Sequence, residues 1–403
     1  MNKNNDTCLV CKSSIQNPPY INLGNQPLAN AFHKGEALET YPLQLCVCTN
    51  CWHSQLTMSV DPATMFEHYL YISDTTTTLT KYFEWVTEYI LYCHINPKSV
   101  LEIACNSGLL LEMFKKKGIE WVFGVDPAKN LKPLSEARNL NVFVDYWNTE
   151  FAEKIKPVTG RFDLVLAFHV LPHVQDPNDF IQSCVNILSD TGTIFIQTSQ
   201  CDMFINNEFD VVYHEHSSYF TAKSIAELAH RNGLYVRNIV KTDIHGKSFL
   251  FGLEKKKCNE WQLDKLIKEE EKNGWHSLEK YKSFAEKAIK TKQELVAGLQ
   301  KFKDEGYTLI GYGAAAKGNT LLNYIDYKLD YMIDDNDMKW GYLIPGTNIP
   351  IHSIDLLRQD FEKICFVPLA WNFYAEIKER IAKVRNNQND VFVKYFPEYK
   401  EEK

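Results

Sequence analysis

Three things are missing from this sequence. No apolar run approaches the roughly 20 residues needed to cross a bilayer, so the chain offers no membrane span. Basic residues are not in excess. Lys and Arg total 44 against 51 Asp and Glu, for a net charge of −7 and a pI near 6.0. That balance argues against a general nucleic-acid binder, which would present a basic surface. The opening "MNKNNDTCLVCK" has no apolar signal core, so a cytosolic setting is expected. Thiols stay reduced there, and the 11 cysteines are read as metal ligands, core residues or site residues, without disulfides.

What is present is enough for two or three domains. The chain has 403 residues, 45% of them hydrophobic and 13% aromatic. Cys8 and Cys11 form one C-x2-C pair, and Cys48 and Cys51 form another. Each pair places two thiolates on one tight turn, so four cysteines fill a tetrahedral sphere and leave no open position for a catalytic water. The spacing predicts a structural zinc, with Cys46 and His53 as nearby substitutes. The segment lacks the basic stripe of a nucleic-acid-binding ribbon.

Residues 99 to 200 alternate strand and helix patterns, which implies a doubly wound parallel sheet. Ligands bind such sheets beyond the carboxyl ends of the strands. The first turn carries Glu102, Ala104, Asn106 and Gly108, and Asp126 closes the second strand. An acid there accepts hydrogen bonds from ribose hydroxyls. The pattern fits a nicotinamide cofactor as well as S-adenosylmethionine, although the three-glycine dinucleotide fingerprint is absent. His173 follows the third strand at the same edge. Residues 257 to 305 are rich in Lys and Glu at helical spacing and read as solvated linking helices. A second strand-turn-helix unit, "YTLIGYGAAAKGNTLLNYI", follows. Gly311, Gly313 and Gly318 let a phosphate approach backbone N–H groups there, and Lys317 adds a cation. The other reading of these glycines is a tight packing corner.

"DVVYHEHSSYF", Asp210 to Phe220, is the most densely titratable stretch. Three readings compete: a metal site, an acid/base device, or a packed polar surface. A metal would need a third ligand besides His214 and His216, such as His173 or Asp210. In an extended segment Glu215 and Tyr213 would face away from His214 and His216.

Together these stretches resemble the sugar C-methyltransferase family of branched deoxysugar biosynthesis. The likeness is carried by "NLGNQPLANAF", both cysteine pairs, "YLYISD", "LEIACNSG", "VLPHV", "VVYHEHSSYF", "IHGKS", "GYGAAAKGN", "PGTNIPI" and "WNF". It implies an α/β protein with a small zinc-binding domain (1–70), a doubly wound Rossmann-like methyltransferase domain (71–255), and linking helices plus a Rossmann-like C-terminal domain (256–403). It implies S-adenosylmethionine held by Glu102, Ala104, Asn106, Gly108, Asp126, Pro127, Tyr146 and His169. The implied substrate is a nucleotide-linked 4-keto-6-deoxy sugar (dTDP or GDP), methylated at C-3′ and bound by Gly313, Ala314, Lys317, Asn319 and Asn372. By the same resemblance Tyr213, Glu215, His216, His173 and Tyr71 are catalytic, with Tyr69 as the rival of Tyr71. His216 is the expected base, since histidine titrates near working pH; His173 would stabilise the enolate, and His214 is structural. The family's usual glycine is replaced by Ala104, its usual asparagine by His169, and its His-Gly-Gly-Ser-Leu-Arg by "HGKSFL". The expected partners exclude nucleic acid and membrane, with a monomer or weak oligomer. The second expectation is an NAD-dependent nucleotide-sugar oxidoreductase or epimerase.

Overall fold

The computed structural model describes residues 2–66, 77–94, 96–198, 203–244 and 247–403. The chain forms two compact units, each assembled from three segments. The first comprises Met1–Asn17, Val47–Cys201 and Glu215–Ser277; the second comprises Pro18–Cys46, Asp202–His214 and Leu278–Lys403.

In the first unit, continuous apolar runs form parallel strands buried on both faces. These are Ser99–Ile103 (β1), Trp121–Val125 (β2), Phe162–Phe168 (β4) and Leu188–Thr198 (β5), while the short, partly exposed Asn141–Phe143 (β3) extends the parallel sheet at its edge. Tyr235–Thr242 (β6) and Ser248–Glu254 (β7) complete a seven-stranded sheet in the order 3-2-1-4-5-7-6, with β7 antiparallel to both neighbours. Successive strand residues feed opposite faces. Leu101, Ile103, Val165 and Ala167 enter one core. Val100, Leu164 and Leu166 enter the other, against Leu110, Leu111 and Phe114 of the helix Leu109–Lys116. The four N-terminal cysteines belong to the first of these cores. The start of the helix Pro177–Ile187 holds them there: Asn178 Nδ2 donates to the Leu9 and Val10 carbonyls at 2.8 and 2.9 Å. The strand order reverses between β1 and β4, so their carboxyl ends flank the crevice where ligands bind this class of sheet.

The second unit contains Thr308–Tyr312 (β8), Tyr331–Ile333 (β9), Ile351–His352 (β10), Ile364–Pro368 (β11), Val391–Lys394 (β12) and Lys400–Glu402 (β13). Their order is 10-9-8-11-12-13, parallel except for the last pair. The helix Leu278–Asp304 is not the solvated linker that its charge suggests. It buries Tyr281, Phe284, Ala288, Leu295, Leu299 and Phe302, a stripe at helical period. Tyr20 packs edge-on to Tyr281 at 5.0 Å, and Phe204 packs on Phe284 at 5.2 Å. Among the described residues no helix is long and apolar enough to cross a membrane.

Candidate active site

The metal ligands come together as their spacing requires. The four Sγ atoms of Cys8, Cys11, Cys48 and Cys51 all lie within 4.8 Å of one another, with Cys8–Cys51 at 3.6 Å and Cys11–Cys48 at 3.5 Å. Zinc–sulfur bonds of about 2.3 Å in a tetrahedron place sulfurs about 3.8 Å apart, so the array fits that ion. Both pairs use the same turn. Lys12 and Trp52, each following the second cysteine of its pair, take φ of 62° and 58°, and their N–H groups donate to the Cys8 and Cys48 carbonyls at 2.9 and 2.8 Å. Hydrogen bonding from Cys51 and Cys8 pulls the Cys48 thiol far down, while the contact with Cys48 pushes Cys8 up to about 12 and Cys51 higher still. Thiols this close cannot all ionise without a cation between them. Among the described residues this is the one cluster of three or more such side chains with ligand atoms near enough to share an ion. The metal reading of His214 and His216 finds no such grouping. Cys46 falls in the second unit, and His53 Nε2 lies 3.1 Å from Ser218 Oγ.

The residues expected to hold the cofactor lie at the carboxyl ends of β1 to β4. Asp126 accepts from the Asn106 N–H at 2.8 Å and the Ala128 N–H at 2.9 Å, which ties the first turn to the second strand. Glu102 is buried, and its Oε2 has no hydrogen-bond partner among the described residues. Burial, with the Asp126 carboxylate close by, holds Glu102 well above the usual carboxylate range; burial also raises Asp126. An orphaned acceptor beside an oriented carboxylate fits a ligand rich in hydroxyl and ammonium donors. Gly108 has φ of 80°, and a Cβ there would come within 2.4 Å of Leu140. Ala104 and His169 have φ of 57° and 54°. Two of the three departures from the family pattern therefore fall on left-handed positions, where Gly and Asn are favoured. His169 N donates to the Gln197 carbonyl at 2.9 Å, which keeps it beside β5, while Pro127 and Tyr146 are half-buried on the loops after β2 and β3.

In the first unit Glu215 and His216 are buried. The His216 ring lies 4.8 Å from that of His173, in the turn after β4, and 6.1 Å from Tyr219. His173 Nδ1 lies 2.7 Å from the Glu215 carbonyl. A carbonyl only accepts, so Nδ1 carries the proton. Burial holds His173 near 4, against the raising pull of the Glu215 and His169 carbonyls. A neutral ring in that tautomer braces the segment, and its remaining nitrogen carries a lone pair where an oxyanion donor needs a proton. The backbone turns at His214 and Glu215, so alternation along an extended strand does not decide which side chains share a face. His214 and the half-buried Tyr213 belong to the second unit. His214 Nε2 lies 3.2 Å from the Tyr41 carbonyl, with its rings edge-on at 5.8 Å, and burial holds it near 4. Tyr69 and Tyr71 lie outside the described residues, as do His245 and Gly246 of the "HGKS" stretch.

The second unit holds the expected substrate residues around the turn after β8. Gly313, with φ of 97°, is pressed against Ala370, where a Cβ would come within 2.8 Å, and Gly318 is pressed equally close to Leu369. The packing-corner reading of this turn therefore has a physical basis. Ala314 N donates to Asp334 at 2.7 Å, and Lys339 Nζ reaches the same carboxylate at 3.2 Å. Lys317 Nζ stands 4.6 Å over the Trp371 ring, whose Nε1 donates to the buried Asp210 at 2.8 Å. Asn319 gives its amide N–H to the Ala29 carbonyl, and Asn372 is exposed. Sequence reasoning missed Lys339, His53 as the partner of Ser218, and Glu270, whose carboxylate accepts from the Ala222 N–H at 2.5 Å and the Lys223 N–H at 3.2 Å. None carries a local signal, since each acts on a residue remote in the chain or reads as an ordinary surface lysine.

Three family models match in chain order: a zinc binding domain over residues 8–66, a methyltransferase domain over 75–239, and a C-methyltransferase C-terminal domain over 243–397. With these three domains in this order, the chain is an S-adenosylmethionine-dependent C-methyltransferase. It is 28% identical over 390 residues to the C-methyltransferase NovU of Streptomyces niveus, which covers 92% of this chain and 91% of that protein. A shorter likeness, 36% over 113 residues, reaches a ubiquinone biosynthesis O-methyltransferase of Rhodopseudomonas palustris (strain BisA53), covering 26% of this chain and 44% of that protein. Among solved structures, the PH0226 protein of Pyrococcus horikoshii OT3 gives a TM-score of 0.37 at 14% identity, over 48% of this chain and 98% of that one. The donor is S-adenosylmethionine, and the cysteine cluster is the structural zinc site.

Proposed function

We propose that this enzyme methylates C-3′ of a nucleotide-linked 4-keto-6-deoxy sugar through an enolate, with His216 as the base. The observation that carries this reading is the buried His216 ring, 4.8 Å from that of His173 in the turn after β4. That edge borders the crevice whose other side holds Glu102 and Asp126. S-adenosylmethionine supplies an electrophilic methyl on a cationic sulfur. A hydrogen beside a ketone is acidic enough for a positioned imidazole. His216 takes that proton, and the electron pair moves onto the ketone oxygen. The enolate carbon then bonds the methyl as the carbon–sulfur bond breaks and sulfur keeps the pair. Glu215 and Tyr213 organise the sugar oxygens, and Tyr71 contributes a hydroxyl. His173 holds the Glu215 carbonyl, and through it the backbone that carries His216. Lys317 and the 313–319 turn take the nucleotide end, dTDP or GDP. The enzyme is read as cytoplasmic, where four thiols stay reduced, and as a monomer or weak oligomer.

Incubation with S-adenosylmethionine and a panel of dTDP- and GDP-linked keto sugars, followed by mass spectrometry, tests the substrate. One product heavier by a single methyl replacing hydrogen is expected. Absence of any mass gain across the panel sinks the sugar reading. His216→Asn abolishes turnover while donor affinity, read by calorimetry, stays at the parent value. Near-parent turnover in that variant removes His216 as the base.

A further inference from the structure

The zinc turn and the histidine segment are stapled together within the first unit. Ser218–Tyr219 is a strand of two residues, too short to hold its own place. It pairs antiparallel with Ser54–Leu56, with Ser218 opposite Gln55 and Tyr219 opposite Ser54. Leu56 N donates to the Ser217 carbonyl at 3.1 Å. His53 is fully buried; its Nε2 lies 3.1 Å from Ser218 Oγ, and its ring lies 4.8 Å from that of Phe220. Thr221 Oγ1 reaches the Trp52 carbonyl at 3.5 Å.

The other side of the staple is the metal turn. Cys48 N donates to the His53 carbonyl at 2.9 Å, so the turn that carries two ligands also fixes the His53 backbone. Gln55 reaches back to the first cysteine turn: its Oε1 accepts from Leu9 N at 2.7 Å, and its Nε2 donates to the Thr7 carbonyl at 3.0 Å. Residues 52–56 thus bridge both cysteine pairs to the stretch that follows His216.

We infer that His53 is a positioning residue for catalysis, which transmits the rigidity of the zinc turns through Ser218 to His216. This rests on the reading of His216 as base. A displacement of about 1 Å at a reacting group costs on the order of a hundredfold in rate. A two-residue strand released from one side chain contact allows a shift of that size. The zinc site is then more than a fold support, since it fixes the reference point from which the base is aimed.

The test uses the full chain and four variants. In His53→Phe and Ser218→Ala, kcat falls roughly tenfold to a hundredfold, with S-adenosylmethionine affinity and zinc content at the parent values. Hydrogen–deuterium exchange rises over residues 215–221 in both. The double variant is no worse than the more impaired single one, because both remove one contact. His53→Gln, which keeps an N–H at a similar reach, restores most of kcat. Ser218→Ala is a small change and keeps the test valid if His53→Phe folds poorly. Unchanged kcat in both single variants overturns the inference. So does unchanged exchange over 215–221, or zinc loss that accounts for the fall in kcat. Retained turnover in His216→Asn would instead remove the base assignment, and the exchange data on His53 would still report the staple.

Discussion

The two units solve the same local problem with opposite electrostatics. In each, an acid at the end of the second strand accepts from a backbone N–H of the first turn, 20 residues earlier: Asp126 from Asn106 at 2.8 Å, Asp334 from Ala314 at 2.7 Å. In the first unit the neighbour of that acid is another carboxylate, Glu102, and burial pushes both upward. In the second it is Lys339, whose ammonium bonds Asp334 at 3.2 Å and the Ala314 carbonyl at 2.8 Å. The first turn is electrostatically incomplete and suits a cationic, hydroxyl-rich ligand. The second turn is neutralised from within. A nicotinamide cofactor in the second unit would need that acid for its ribose, so the contrast weighs against the oxidoreductase alternative.

Substitutions can break this contrast. On the proposed donor site, Asp126→Ala removes the acceptor offered to the ribose and the acceptor of the Asn106 and Ala128 N–H groups; S-adenosylmethionine affinity falls by roughly a thousandfold, about 4 kcal/mol, read by calorimetry. Asp334→Ala strands Lys339 in a largely buried place and lowers unfolding free energy by about 3 kcal/mol in a urea titration, with donor affinity unchanged. Equal effects of the two on donor binding would erase the distinction. Asp210 sharpens it further. Burial raises this carboxyl from 3.8 to about 7, against the lowering pull of Lys317 and the Trp371 N–H. The folded state binds that proton more tightly than the unfolded state. Stability from Asp210 is therefore full below about pH 4, is lost as pH rises through about 7, and is level above. Asp210→Asn mimics the protonated form, so it is more stable than the parent by about 2 kcal/mol at pH 8 and equal to it near pH 4, in denaturant titrations at both values. The smallest effect is Ala104→Gly. It relieves a left-handed alanine, about 1–2 kcal/mol, and adds glycine's chain entropy, about 0.5–1 kcal/mol. A net gain of about 0.5–1 kcal/mol in urea midpoint stability follows.

The sequence made the chemistry more legible than the assembly. Cys8, Cys11, Cys48 and Cys51 announce themselves because metal geometry is written in local spacing. The strands β1, β2, β4 and β5 are legible because burial on both faces leaves continuous apolar runs, whereas β3, exposed at Asn141, leaves none. Ala104 stood out as a missing glycine, although its φ of 57° was invisible. The turn at His214–Glu215 was not readable, since neither residue is a turn former by type. His53 read as a spare metal ligand, because its partner Ser218 is 165 positions away. The stripe on Leu278–Asp304 was hidden by the lysines and glutamates between its buried residues.

The interleaved segments of the second unit impose an order on synthesis. Residues 21–26 leave the ribosome early, yet Gln26 bonds the Thr320 carbonyl and Ala29 accepts from Asn319. Tyr20 and Phe204 find Tyr281 and Phe284 only after the helix Leu278–Asp304 has emerged. At about 5–20 residues per second, the early strand waits on the order of 15–60 seconds for its partners. During that wait its apolar side chains and unpaired edge are open to chaperones and to one another, and closing such distant contacts is slow. Nascent chains arrested before residue 278 should therefore carry a completed first sheet and an unfinished second unit.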